Sequence, residues 1–428
     1  MFHGLKVQKG ELDVPGLLLC LSFFLKPFYI LPSGMFQLGD FCLIIALLAL
    51  IIKEKSSFRI EKIDLILALF VVCVIVVNAI NFSIYGGADF LVQTVYYIFN
   101  LFAVVLFRKE MQSKAFMDRF SMVLRVDIYL QVFIFLAHLG RWYGGNLTGG
   151  TRYMGTFNDP NQLAFFIFCC YVFIQISHIK TGSRTFILDE FAALFVILQT
   201  ASTGMLAGFC LVLFPKVLMS VRRSLKRISF KKSGLFIVCV CLAALIPGGI
   251  FYVSNSGDNS RDTFVLERIE QKFQKVLGTK TGKDDFNDSI IADRQLDKLL
   301  LYPEKILYGA GQGNFERFDR AISANEIHSS FPGMLFYYGI GPFVVLLAWV
   351  FGNFKRGWNN PYLLLIFFAY FAETFTLTNQ RQPLFWMMIV LASLGHIVSI
   401  DSELQDSSNV ENPSKNGNNE TVVGATNA

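Results

Sequence analysis

Long apolar runs separated by short polar breaks dominate the chain, and a single polar stretch of about 80 residues, 254–332, interrupts them. A mostly apolar run of 18 or more residues is long enough to cross the ~30 Å hydrocarbon core of a bilayer as an α-helix. Twelve such spans are predicted, at approximately 14–32, 36–52, 63–82, 88–107, 120–139, 161–178, 186–200, 202–219, 234–253, 333–352, 361–378 and 383–400. Only Thr200-Ala201-Ser202-Thr203-Gly204 separates the seventh from the eighth, which leaves a re-entrant pair or one broken helix open. The expected fold class is an all-α polytopic integral membrane protein. It has about 12 transmembrane helices and one large outer-face loop carrying short amphipathic helices. The expected units are 1–253 (helices one to nine), 254–332 (the large loop), 333–400 (helices ten to twelve) and 401–428 (an Asn/Ser-rich disordered tail).

Composition agrees. Of 428 residues, 54% are hydrophobic and 16% charged, with 45 Phe; a soluble domain carries roughly 25% charged residues. The net charge of +6 is not a nucleic-acid signal, because the cations sit in short loops between apolar runs. With the N-terminus placed inside, the inner segments hold 20 Lys/Arg outside the spans. The short outer loops hold three, Arg141, Arg152 and Arg381. This bias puts both termini on the cytoplasmic side and the loops 140–160 and 254–332 on the outer side. All eight cysteines lie within apolar runs and none forms a CxxC, so they read as small apolar residues rather than ligands.

Inside the large loop, 261–277 spaces Val265, Ile269, Phe273 and Val276 as a helix face, and 288–301 does the same with Ile291, Gln295, Leu296, Leu299 and Leu300. Two helices lying on the membrane surface, or packed only on each other, both fit. With 11 Lys/Arg and 13 Asp/Glu, the loop is not a polybasic patch.

Several residues could carry chemistry. His328 is the only His in the loop and stands at the mouth of the tenth span; it is a candidate general base. Its alternative is an interfacial His bonded to a carbonyl. Arg294 offers a permanent bidentate cation suited to pyrophosphate; its alternative is a pair with Asp293 or Asp297. Gly309-Ala310-Gly311-Gln312-Gly313-Asn314-Phe315 lacks the Lys-Ser/Thr of a P-loop. It is expected to form a tight turn with exposed N–H groups, of which Gly311 and Gly313 could lie beside an anion. In Arg152-Tyr153-Met154-Gly155-Thr156-Phe157-Asn158-Asp159-Pro160-Asn161, Pro160 should open a helix with Asp159 near its N-cap. There Arg152 and Asn161 could form a second anion clamp. Within the spans, Lys26 could neutralise a lipid phosphate, Glu373 could pair with Arg381, and Arg125 and Asp127 can snorkel from an inner end. No outward cluster of His, Asp or Glu has metal-ligand spacing, so no metal or cofactor is expected.

Taken in order, these pieces resemble the O-antigen ligase/polymerase superfamily of bacterial envelope enzymes, over roughly residues 151–351. An Arg-x-x-Gly-x-Phe-x-x-Pro-Asn loop precedes a span, and a Ser/Thr-rich break follows. Then come a long outer loop with an Arg, a Gly-x-Gly-x-Gly-Asn-Phe turn, and a His before an apolar helix carrying Tyr338-Gly339-Ile340-Gly341. The family often has His-Asn where this chain has His328-Ser329. It has Ser-Gly-Arg where this chain has Ala292-Asp293-Arg294, and Arg261, after Ser260, is a rival for that Arg. The resemblance implies metal-independent, inverting glycosyl transfer from an undecaprenyl-diphosphate-linked oligosaccharide at the outer face of the bacterial inner membrane. His328 would be the base. Arg294 and Arg152, with Lys26, would hold the pyrophosphate. A polymerase of repeat units is the preferred product class and an O-antigen ligase acting on lipid A-core the alternative. A chain-length regulator and a flippase of the same pathway are candidate partners. A lipid-linked oligosaccharide flippase is the rival from another class; it would show charges lining a central cavity and matched helix breaks in two halves.

Overall fold

The computed structural model describes residues 13–30, 37–54, 60–144, 152–181, 185–227, 291, 294–321, 324–355, 361–375 and 377–393. Within them the chain is mostly helical, with fourteen α-helices. They are α1 (Val14–Leu25), α2 (Leu38–Glu54), α3 (Lys62–Tyr85), α4 (Asp89–Glu110), α5 (Lys114–Leu136), α6 (Pro160–Thr181), α7 (Ile187–Gln199) and α8 (Thr203–Arg227), followed by α9 (Asp297–Leu301), α10 (Glu304–Tyr308), α11 (Ser330–Tyr338), α12 (Ile340–Phe354), α13 (Pro361–Thr374) and α14 (Pro383–Leu391). Helices stand at eleven of the twelve predicted positions; the ninth, 234–253, lies outside the described residues, as does the amphipathic helix expected over 261–277. By length and composition three helices can cross a membrane, at Lys62–Tyr85, Asp89–Glu110 and Pro160–Ile179, and four shorter ones are apolar.

Local chemistry sets the helix ends. The Asp13 carboxylate accepts from the Gly16 N–H at 3.0 Å, and Pro15 supplies a preset φ in the first turn. Asp159 accepts from the N–H groups of Asn161 and Gln162 at 2.8 and 3.0 Å, so α6 opens at Pro160 as its sequence predicts. The seventh and eighth predicted spans are two helices, joined by a turn in which Ala201 has φ +49°. The tenth is two helices rather than one. Gly339, at φ +81°, separates α11 from α12, and a Cβ there would stand 2.8 Å from the Leu307 carbonyl oxygen. That close approach of α10 to the α11–α12 corner requires glycine.

The packing is graded from centre to rim. Every residue from Leu163 to Ile174 in α6 is buried, so this helix is the axis of the bundle. On α3, by contrast, Leu65, Leu69, Val72, Val76 and Ile80 form an exposed apolar stripe, the pattern of a helix whose outer face meets hydrocarbon. A buried aromatic cluster of Phe70, Tyr97, Tyr338 and Trp386 ties α3, α4, α11 and α14 together, with ring centroids 5.2–6.3 Å apart.

Three expectations change. The fold is not wholly α: a short antiparallel hairpin, β1 (Arg141–Tyr143) with β2 (Arg152–Gly155), fills the 140–160 loop. Trp142 opposes Tyr153 across it, and both pack on Phe135 of α5. The single helix expected over 288–301 is broken. Gln295 adopts φ +57°, and the Leu296 N–H closes on the Ile291 carbonyl at 2.8 Å, so the chain turns here before α9 begins. Arg125 and Asp127 do not snorkel. The Arg125 guanidinium pairs with Asp189 of α7 at 2.9 Å, and Asp127 is fully buried in α5.

Candidate functional site

The candidate residues gather at one end of the bundle, where α1, α3, α5, α7 and α13 finish and α2, α4, α6, α8, α11 and α14 begin. Hydrogen bonds stitch this end together. The Tyr29 N–H after α1 donates to the Thr156 carbonyl, and Asn314 donates to the Tyr85 carbonyl at the end of α3. Arg152 reaches the α7–α8 turn, and Ser330, opening α11, donates through its hydroxyl to the Leu377 carbonyl at 2.7 Å.

His328 and Arg294 are brought together by their backbones. The His328 N–H donates to the Arg294 carbonyl at 3.0 Å. Arg294 lies in the turn that precedes α9, so this bond ties the segment bearing His328 to that turn. His328 is exposed and Arg294 half-buried. The segment bearing His328 is held firmly. The Ile327 N–H donates to the Tyr337 hydroxyl at 2.7 Å, its carbonyl accepts from Thr378 at 3.0 Å, and the Ser329 hydroxyl donates to the Phe375 carbonyl at 2.6 Å.

The other predicted cations carry protein partners. Arg152 is buried; its Nε donates to the Thr200 carbonyl at 2.9 Å and one terminal nitrogen to Asn161 Oδ1 at 2.7 Å, an oxygen that also accepts from Ser202 at 3.2 Å. Arg152 and Asn161 therefore meet in a contact that fastens β2 to the starts of α6 and α8. Lys26 is corrected. It is not aimed at a lipid phosphate, because its ammonium binds both oxygens of Asp40 at 2.9 and 3.2 Å, beside a small cavity lined by Ser22, Phe166 and Gln382. Arg381 is likewise redirected: it pairs with Glu326 and donates to Gln93 Oε1 at 2.9 Å. Glu373 packs against α8 instead, 2.9 Å from where a Cβ on Gly208 would stand. Arg261 lies outside the described residues.

The glycine turn is corrected too. Its amides face inward: Ala310 N–H donates to the Phe336 carbonyl at 3.0 Å, Gly311 N–H to the Tyr337 carbonyl at 2.7 Å, and Gln312 N–H to Asn78 Oδ1 at 3.0 Å. Gly311 and Gly313 are glycines because the turn is wedged against α3 and α4. A Cβ on Gly311 would lie 2.8 Å from both Asn81 Cβ and Phe90 Cε1, and one on Gly313 would lie 2.8 Å from the Phe90 nitrogen. The turn docks the loop, and the amides of residues 310–312 are taken up by protein acceptors rather than offered to an anion.

Four features escaped sequence reasoning. Arg317 donates to the Ala310 and Gly311 carbonyls and sits 4.7–5.1 Å from the rings of Tyr85, Phe90 and Phe318, which anchors the turn. Burial pulls its pKa down to about 10. Lys298 is fully buried in α9, donates to Gln295 and the Asn325 carbonyl, and is drawn down by burial to about 8. Burial raises Glu326 above the ordinary carboxylate range, against the opposing pull of Arg381. The fourth is the 377–382 loop between α13 and α14, with the unbroken polar run Thr378-Asn379-Gln380-Arg381-Gln382. It touches Ile327, Ser330, Gln93, Asn100 and Glu326, and so lies at the centre of the site. The signal was that polar run, in which only the charge of Arg381 stood out.

Among the described residues no three His, Cys, Asp or Glu side chains converge to hold a metal ion. Neither a protein-family model nor a curated protein matches the chain.

Proposed function

We propose that this chain is a membrane glycosyltransferase, a polymerase that joins undecaprenyl-diphosphate-linked oligosaccharide repeat units at the outer face of a bacterial cytoplasmic membrane. The observation that carries the reading is the 3.0 Å bond from the His328 N–H to the Arg294 carbonyl, which joins the backbone of a candidate base to that of a permanent cation. The charge bias of 20 inner against three outer Lys/Arg supports an outward-facing site with cytoplasmic termini. So does the resemblance carried by the ordered motifs between residues 151 and 351.

In this mechanism His328 accepts the proton of an acceptor sugar hydroxyl. That oxygen attacks the anomeric carbon as the bond to the diphosphate oxygen breaks, so the anomeric centre inverts. Arg294 stabilises the charge growing on the diphosphate. Arg152 adds to the positive potential at this end while its guanidinium stays held by neutral acceptors, whereas the charge of Arg381 is offset by Glu326. Fixed cations thus receive the leaving group's charge, and the donor arrives within the membrane.

The test uses the purified chain in detergent with a lipid-linked repeat unit as the only substrate, wild type beside His328→Ala. A glycan ladder that disappears in the variant supports a polymerase using this base. A product formed only when lipid A-core is added makes the protein a ligase. No product in either case, together with lipid movement in vesicles, makes it a flippase.

A further inference from the structure

Beside His328 the structure holds a group of side-chain amides whose hydrogen bonding is incomplete. Asn100 of α4, Asn379 and Gln380 are 1%, 3% and 0% exposed. Among the described residues, Asn100 Oδ1, Asn379 Nδ2 and both Gln380 Oε1 and Nε2 have no hydrogen-bond partner. These residues form one place. Asn100 Nδ2 donates to the Gln380 and Arg381 carbonyls at 3.1 and 3.2 Å, and Trp386 Nε1 donates to the same Gln380 carbonyl at 2.8 Å. The Asn379 N–H donates to the Ser330 hydroxyl at 3.0 Å, two residues from His328.

Buried polar atoms in a folded protein are almost always bonded, and an amide left without partners inside an apolar bundle is costly. Here two donor nitrogens and two acceptor oxygens with bonding capacity left are carried by three linked residues without a net charge, and the adjoining ions, Arg381 and Glu326, neutralise each other. An anion would meet the two acceptors unfavourably. An acyl chain would leave all four atoms without partners. A hydroxyl both donates and accepts, and a ring bearing several hydroxyls matches the whole set.

We propose that the 377–382 loop, with Asn100, is a binding site for a neutral, polyhydroxylated ring: a sugar unit of the glycan, held next to the base by Asn379 and Gln380. This rests on the glycosyl-transfer reading above and deepens it, because it assigns sugar recognition to uncharged amides and leaves the diphosphate to Arg294.

The experiment follows thermal unfolding of the full chain in detergent. The probes are methyl glycosides of glucose, galactose, mannose, rhamnose and N-acetylglucosamine, with inorganic pyrophosphate as the anionic comparison. The proteins are wild type, His328→Ala, Gln380→Met and Asn379→Leu. At least one glycoside is expected to raise the midpoint of wild type and of His328→Ala. Gln380→Met and Asn379→Leu lose that shift and keep any shift given by pyrophosphate. Without ligand, Gln380→Met melts at or above wild type, because an unpartnered amide is exchanged for a thioether of similar shape.

In the ladder assay the same two variants raise KM for the lipid-linked donor by about 10–100-fold, with kcat changed less than about threefold, as expected when ground-state and transition-state binding are lost equally. The absence of any glycoside shift in wild type overturns the proposal. So does an undiminished shift in Gln380→Met, or a lower midpoint for unliganded Gln380→Met, which would mean that the amide is already satisfied. Failure here is distinct from failure of the parent reading. A normal ladder with unchanged KM in both variants removes the sugar site and keeps the polymerase; glycoside binding that depends on the amides without any ladder keeps the sugar site and removes the polymerase.

Discussion

Removing the Arg381 guanidinium tests how the centre of the site is held. The Glu326 side chain is 11% exposed and that of Arg381 36% exposed. Breaking a fully buried ion pair from one side costs about 3–5 kcal/mol; because water reaches a third of Arg381, screening lowers this to about 2 kcal/mol. Gln93 Oε1 also loses its 2.9 Å donor, which adds about 1 kcal/mol. Arg381→Gln should therefore destabilise the chain by about 2–3 kcal/mol near neutral pH. The sign of its pH dependence follows from Glu326. Burial already raises this carboxyl above 4.5, and Arg381 is the main opposing influence, so the variant raises it further. A carboxyl with a raised folded pKa contributes stability below its unfolded pKa and loses it as pH climbs through the folded one. The deficit of Arg381→Gln is thus full near neutrality and shrinks as the pH falls toward 4.5. Melts of wild type, Arg381→Gln, Glu326→Gln and the double variant at about pH 5 and about pH 8 measure this. In the double variant the cost of the unpaired carboxylate disappears, leaving a coupling of about 1–2 kcal/mol. A deficit equal at both pH values, or single effects that simply add, would refute the argument that Arg381 keeps a buried carboxylate charged.

Gly311→Ala should destabilise by about 2–5 kcal/mol, from a left-handed alanine plus overpacking. Gly86→Ala should cost only about 1–2 kcal/mol, because Gly86 shares the φ of +67° but has nothing within 4 Å of its Cβ position; thermal melts of the two variants compare them directly. At the opposite end of the bundle, Arg108 binds Asp64 at 2.6 and 2.8 Å, Asn353 at 2.8 Å and Ser393 at 3.2 Å. Asp64→Ala leaves this buried guanidinium without its carboxylate and should lose about 3–5 kcal/mol, read as a lower melting midpoint and lower membrane abundance. His328→Ala should lower ladder formation by about 10²–10⁴-fold, while the backbone bond to Arg294 survives the substitution.

Most of the helical fold was legible because its signal is local. Apolar runs marked eleven helical positions, and Pro160 and Pro383 opened helices where the sequence placed them. Departures came where one residue's backbone angle decided the path. Gly339 reads as an ordinary glycine in an apolar run, yet its φ of +81° splits the tenth span. Gln295 carries no mark of a left-handed conformation, so the helix over 288–301 looked continuous. The hairpin was hidden because its strands have three and four residues, too few for a period of two to stand out, and its stability comes from Trp142 and Tyr153 packing on Phe135.

Charge was legible as residue type but not as partnership. Lys26 finds Asp40 across 14 residues, Arg152 finds the Thr200 carbonyl across 48, and Arg381 finds Glu326 across 55. None of these separations leaves a trace in local spacing. In an apolar bundle, however, desolvation makes an unpaired cation so costly that most must acquire protein partners on folding. A lone charge in the sequence of such a chain is therefore weak evidence of a ligand. An incompletely bonded amide is stronger evidence, because it is neutral, escapes that penalty, and needs no counterion to explain its burial. Arg381 and Gln380 are neighbours in one loop and show the contrast. The residue with the obvious charge is occupied by Glu326 and Gln93, while the neutral residue beside it has bonding capacity left.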